Sequence, residues 1–202
     1  MDFFQSIPDE LKQTVKQVCT DMYDGFVNAA AVEVFGQKKI VVDRYHIAKL
    51  YRQPLDDLRI KEMKRIKSEV SDEDYAELRG VMWILRKQHE CLTETDKSKL
   101  TLLYRHSPLL KKAHHQALKL THIFNTHSNR KSAIAKIDRW MSQVEKSELS
   151  CFDRFIGSLT KCKASIVNFF RLFLLRLRIC ESVSCEKRHM RKDANQNDVH
   201  LD

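Results

Sequence analysis

Val18-Cys-Thr-Asp21-Met-Tyr23 and Ile40-Val-Val-Asp43-Arg-Tyr-His46 are the two stretches that decide how this chain folds. Each is an apolar run carrying β-branched residues, and each arrives at an aspartate. Bounded by turn-prone Asp24-Gly25 and Gly36-Gln37, such runs read as short buried strands, and the alanine-rich segment between them, Phe26 to Phe35, is helix-prone. Strand, helix, strand predicts a right-handed crossover between parallel strands, and open α/β sheets collect ligands at the carboxyl ends of such strands. Asp21 and Asp43 both fall at such ends. His46 follows Asp43 at i+3, which sets a carboxylate and an imidazole on one side of a strand–helix junction. A carboxylate there suits a hard cation such as magnesium, which takes oxygen ligands and usually only one or two from protein. A simpler reading stands beside this one: an aspartate at a strand end caps the next helix, and a single histidine is a partly buried helix residue.

The rest of the chain reads as helix upon helix. Ser71 can cap a helix carrying Tyr75, Leu78, Met82 and Leu85, with Asp74 three residues on, and Thr93 with Asp96 repeats that device. Ser107-Pro108 opens another helix, with proline in the first turn where its missing N–H costs least. Asn129 can cap a helix bearing Ile134, Ile137, Trp140, Met141 and Val144. Trp83 and Trp140 sit on apolar faces and are expected in the core, while His114, His115 and His122 are expected on the surface. Four glycines and three prolines leave few breakers to interrupt these helices.

A net charge of +9 favours phosphate backbones through counterion release. The charge is uneven. Arg44, Lys49, Arg52, Arg59, Lys61, Lys64, Arg65 and Lys67 crowd one segment against Asp56, Asp57 and Glu62, directly after the second strand. As a group they suggest DNA contact; taken singly, each is a solvated residue with intrahelical pairs such as Glu62 with Arg65. The stretch Ile166 to Ile179 is apolar but broken by Arg171, Arg176 and Arg178, so it does not read as a membrane span. No secretory leader is visible, and the six cysteines are scattered without a CxxC pair, which points to reduced thiols in the cytoplasm. Cys180, Cys185 and His189 make a loose zinc pattern only. No phosphate-cradling glycine loop and no nucleophile elbow occur.

Val18 to Ala30 and Ile40 to Tyr51 resemble the middle of bacterial insertion-sequence transposases of the DDE type, in the group where an Asp-Xaa-Xaa-His signature follows the second catalytic aspartate and precedes an all-helical insertion. The likeness continues through Arg79-Gly-Val-Met-Trp83-Ile-Leu-Arg86-Lys87, His106-Ser-Pro108, Ile123 to His127 and Cys151-Phe-Asp-Arg-Phe155. The resemblance implies an RNase H-like fold whose three carboxylates hold two divalent metals. It assigns Asp21 to the second catalytic aspartate, and Asp43 and His46 to the signature, in a positional or DNA-facing role. The first aspartate and the closing glutamate have no match: Asp2, Asp9, Glu181 and Glu186 lack the surrounding residues.

The expected architecture is therefore mostly α. It has a partial RNase H-like catalytic domain with two parallel strands over residues 1–50, a helical insertion domain over 51–170, and a basic, disordered tail over 171–202 that has the look of a reading-frame change. Two strands alone leave unpaired edges and little core, which also suggests an incomplete sheet. The expected activity is that of a transposase fragment, magnesium-dependent in an intact relative and inactive as this chain. Its expected partners are the DNA ends of the element, and a second copy or a full-length transposase. The competing reading is a helical DNA-binding regulator that does not need Asp21; a third is a decayed reading frame without function.

Overall fold

A computed structural model describes residues 6–20, 32–126 and 128–171 of the chain. In order, the described elements are α1 (Asp9–Thr14), β1 (Val18–Thr20), α2 (Val32–Phe35), β2 (Ile40–Val42), α3 (Arg44–Glu69), α4 (Asp72–Glu77), α5 (Val81–Ile84), α6 (Glu94–His106), α7 (Pro108–Asn125), α8 (Arg130–Lys146) and α9 (Asp153–Asn168). The architecture is mostly helical with one small parallel sheet, as the sequence predicts. The strands pair in register Val18 with Ile40, Cys19 with Val41 and Thr20 with Val42. Of the crossover helix expected over Phe26 to Phe35, the described part is Val32–Phe35.

All three residues of β2 are buried. A strand covered on both faces reads as a continuous apolar run, which is why Ile40-Val-Val42 is legible as one. Its cover comes from far along the chain: Asn168, at the end of α9, donates from Nδ2 to the Ile40 carbonyl at 2.8 Å. From the strand the core runs without a gap through Ile47, Tyr51, Leu55 and Ile66 of α3 into α7, α8 and α9. Trp140 packs edge-on against Phe152 and Phe155, and its indole N–H donates to the Gln116 carbonyl at 2.9 Å. The Tyr51 hydroxyl meets Thr121 Oγ1 at 2.7 Å, joining α3 to α7. α3 is one helix of 26 residues that passes through position 51, the expected start of the insertion, and carries Pro54 in its interior.

The helix starts follow the side chains that announce them. Thr93 and Asp96 form a complete capping box, Ser107 accepts from the Leu110 N–H, and Asn129 accepts from the Ser132 N–H. Ser71 accepts from the Asp74 N–H, but the long helix expected beyond it is two short ones, α4 and α5. Gly80, at φ 87°, makes the break in a left-handed conformation that a side chain disfavours. The break re-aims the next turn of the chain. Val81, Ile84 and Leu85 point into the core, while Trp83, expected there too, is 63 % exposed with the Arg86 guanidinium 5.5 Å above its ring.

His114 corrects a second expectation: it is buried at 3 % exposure, whereas His115 and His122 are exposed. After α9, Phe169 and Phe170 are buried against Phe124. The tail beyond 171, with Arg176, Arg178, Cys180, Cys185 and His189, lies outside the described residues. Among the described residues no helix is long and apolar enough to cross a membrane.

Candidate functional site

The junction between β2 and α3 is where the sequence places the chemistry. The Asp43 N–H donates to the Thr20 carbonyl at 2.8 Å, extending the parallel ladder one step past Val42. The backbone of Asp43 thus lies beside the residue that precedes Asp21. Asp21 itself lies outside the described residues. The Asp43 carboxylate turns back onto its own chain and accepts the Tyr45 N–H at 3.0 Å, while its carbonyl accepts from the Ile47 N–H at 3.2 Å. This is an N-cap, the simpler of the two roles open to that residue. His46, half-buried on the first turn, sets its ring edge-on to Tyr45 at 5.5 Å, and Tyr45 is exposed.

Among the described residues no group of three or more His, Cys, Asp or Glu side chains converges on a point that would hold a metal ion. The cap takes Oδ1 of Asp43, and Asp21, the acid the resemblance assigns to the metal, lies outside the described residues. The Thr20 hydroxyl, buried at the end of β1, has no hydrogen-bond partner among the described residues.

The eight basic residues of α3 are not one stripe. At 100° per residue Arg52 and Lys61 stand about 180° apart around the helix. Arg59 pairs with Asp56 at 3.4 Å. Arg65 is held by Glu62 at 2.8 Å, by Glu69 and by the His106 carbonyl at 2.7 Å. Lys67 sits 5.9 Å over the Tyr75 ring, and Lys49, Lys61 and Lys64 are at least partly exposed. Arg44 and Arg52 instead line a groove between α3 and α7, together with Arg86 and Lys87 from the segment after α5. Tyr51, His114 and Thr121 also line it. Sequence reasoning misses this groove, because its walls come from three separated segments. The one signal available is that Arg86 and Lys87 lie in a stretch resembling the transposases.

Two polar clusters fix these walls. Glu62 is buried, which works to raise its pKa, but hydrogen bonds from Arg65 and Ser107 outweigh that and hold the carboxyl below its ordinary value. Ser107 donates to Glu62 Oε2 at 2.7 Å and so ties α3 to the α6–α7 corner. Asp96 is lowered as well, first by the hydrogen bond from Lys87. In the second cluster His114 Nδ1 lies 2.6 Å from the Tyr104 hydroxyl and Nε2 lies 3.1 Å from the Leu85 carbonyl. With a carbonyl at Nε2, the proton belongs there, and Nδ1 accepts from the tyrosine. Burial pushes His114 down to about 4 and Tyr104 up to about 12. A neutral, fully bonded imidazole in this place is a brace between α6, α7 and the end of α5.

A family model for DDE transposases of the ISL3 group, described as a transposase, matches residues 1–193. No curated protein and no solved structure matches the chain.

Proposed function

The chain belongs to the ISL3 group of DDE transposases, and from that premise we propose that it works on DNA in the transposition of an insertion sequence. The observation that supports this reading best is the parallel pair Val18–Thr20 and Ile40–Val42, whose ladder continues to Asp43. Asp21 follows the first strand and Asp43 the second, at the edge where such sheets act on ligands. In this reading Asp21 is the ligand for a divalent cation of the magnesium kind, in a fold of the RNase H type. Asp43 and His46 shape the start of α3 and face the DNA. The cation-rich side chains of α3, Arg44 and Arg52 foremost, contact phosphates. The partners are the ends of the element and another transposase copy, and the setting is the cytoplasm.

Among the described residues no three acidic, histidine or cysteine side chains converge on a metal position, and the resemblance assigns no residue of this chain to the first aspartate or the closing glutamate. A two-metal site needs more than one carboxylate, so by itself this chain is inactive in cleavage and strand transfer. Purified protein is incubated with magnesium or manganese and DNA carrying candidate element ends. Any joined product would show the inactivity wrong.

A second reading has separate support. The described core runs from β2 through α3, α7, α8 and α9 and is made almost entirely of apolar helix residues, as a stand-alone DNA-binding regulator of transposition would require. Asp21→Ala separates the two: metal-independent, salt-sensitive binding that survives the substitution favours the regulator, and binding that needs both metal and Asp21 favours the enzyme.

A further inference from the structure

Between Lys97 and Ile137 the chain has no aspartate and no glutamate, while Lys97, Lys99, Arg105, Lys111, Lys112, Lys119, Arg130, Lys131 and Lys136 all fall there. α7 lies in the middle of that span. Its inner side is set by Leu110, Ala113, His114, Ala117, Leu120 and Phe124, all buried. At 100° per residue Lys111, Lys112, His115, Lys119 and His122 fall within an arc of about 100° on the opposite side, and all five are exposed. The titratable groups of α7, His114 apart, therefore share one face, and that face has no acid.

On α3 the cations are interleaved with Asp56, Glu62 and Glu69, which take up Arg59 and Arg65. On α7 no such answer exists: among the described residues none of its three lysines is ion-paired. Lys119 reaches only the neutral Gln143 Oε1 at 3.3 Å, and Lys111 lies 5.9 Å over the Tyr104 ring. Lys111, His115 and Lys119 are spaced at i, i+4 and i+8, so a charge on the imidazole would meet a lysine on either side. The His115 imidazole registers this: burial and then the two flanking lysines hold it below its ordinary pKa. No acid on this face offsets the lysines, and an external polyanion would.

We propose that the outer face of α7, through Lys111, Lys112 and Lys119 with His115 and His122 between them, is a docking surface for the phosphate backbone of duplex DNA. This rests on the reading that the chain works on DNA and names the surface that carries it. The stretch from Lys111 to His122 is about 16 Å along the helix axis, over which a duplex presents roughly nine phosphates on its two strands. The face also borders the α3–α7 groove, whose lining holds Arg44, Arg52, Arg86 and Lys87 against one acid, Asp56, which pairs with Arg86. The contacts are to backbone, so the surface binds without regard to sequence.

The test is fluorescence anisotropy of labelled duplex DNA with the full chain over a range of salt. The triple variant Lys111→Gln, Lys112→Gln, Lys119→Gln is compared with Lys61→Gln, Lys64→Gln on α3. The α7 triple is expected to flatten the plot of log K against log salt by about 3, at roughly 0.9 per lost phosphate contact, and to weaken binding of unrelated sequences alike. The α3 pair is expected to change the slope by less than half as much. All five lysines lie at the surface, and an unchanged thermal melt confirms that each variant is folded. If the wild-type chain binds duplex DNA and the α7 triple keeps its slope, the docking surface is refuted while the DNA reading stands. If the wild-type chain binds no duplex at any salt, both fall. Tight binding to duplex RNA without binding to DNA also overturns the proposal.

Discussion

Acidification should cost this protein stability well above the pH at which its carboxylates protonate, and His114 is the reason. Its imidazole is buried and neutral, with one nitrogen accepting from Tyr104 and the other donating to the Leu85 carbonyl. Protonation would place a charge where desolvation opposes it, so the folded group titrates at about 4 against an ordinary value of 6.5. Between those values the unfolded chain holds a proton that the folded chain refuses, and stability therefore rises with pH across that window. It is complete above 6.5 and is lost as pH falls towards 4. At about 1.4 kcal/mol per unit the whole gap amounts to about 3 kcal/mol, of which about 2 kcal/mol is gone by pH 5. His115, also lowered, adds to the same slope. Urea unfolding at pH 7.5 and at pH 5 measures the loss. His114→Gln keeps a donor for the Leu85 carbonyl and removes the titration, so it should be weaker than the wild type at pH 7.5 and lose less than half as much on acidification. Equal losses in the two proteins would refute the assignment, as would an NMR titration of His114 near 6.5.

Three further outcomes rest on local geometry. Pro54→Ala restores an N–H inside α3 and removes a ring from the helix interior, and should stabilise the protein by about 2 kcal/mol after the unfolded chain's added freedom is subtracted; a loss of stability in urea unfolding would mean the helix is built around that proline. Trp140→Ala should cost about 3–5 kcal/mol, whereas Trp83→Ala should stay within about 0.5 kcal/mol; similar losses in paired thermal melts would contradict the burial of one and the exposure of the other. Asp43→Ala should cost about 1 kcal/mol through loss of the cap on α3, with Asp43→Asn recovering most of it; full loss in the Asn variant would mean that the charge, not the cap, is what matters there.

What can be read in advance divides along the distance between interacting residues. The strands are legible because Ile40-Val-Val42 carries its own burial in its composition. The caps at Thr93, Ser107 and Asn129 are legible because each reaches a backbone N–H three residues away. Periodicity misplaces Trp83 because Gly80 resets the helical phase two residues after Leu78, and a repeat cannot be carried across a left-handed residue. It misplaces His114 because the partners of that side chain stand 10 and 29 residues away, at Tyr104 and Leu85. The basic segment of α3 is visible as composition, but its division among ion pairs, a ring contact and the α3–α7 groove depends on which neighbours α6 and α7 bring. The pairing of strand ends that frames Asp43 is legible, and so is its cap, because the carboxylate reaches a backbone N–H only two residues away.

The bond from Asn168 to Ile40 also sets a clock. Its two ends are 128 residues apart, so a nascent chain carries Ile40, Val41 and Val42 through most of its synthesis before the helix that covers them exists. At about 5–20 residues per second that interval is roughly 6–26 s, in which an apolar strand waits for its shelter. A ribosome that stalls or terminates before Asn168 would release a chain with this strand uncovered, a product prone to capture by chaperones or by its own copies.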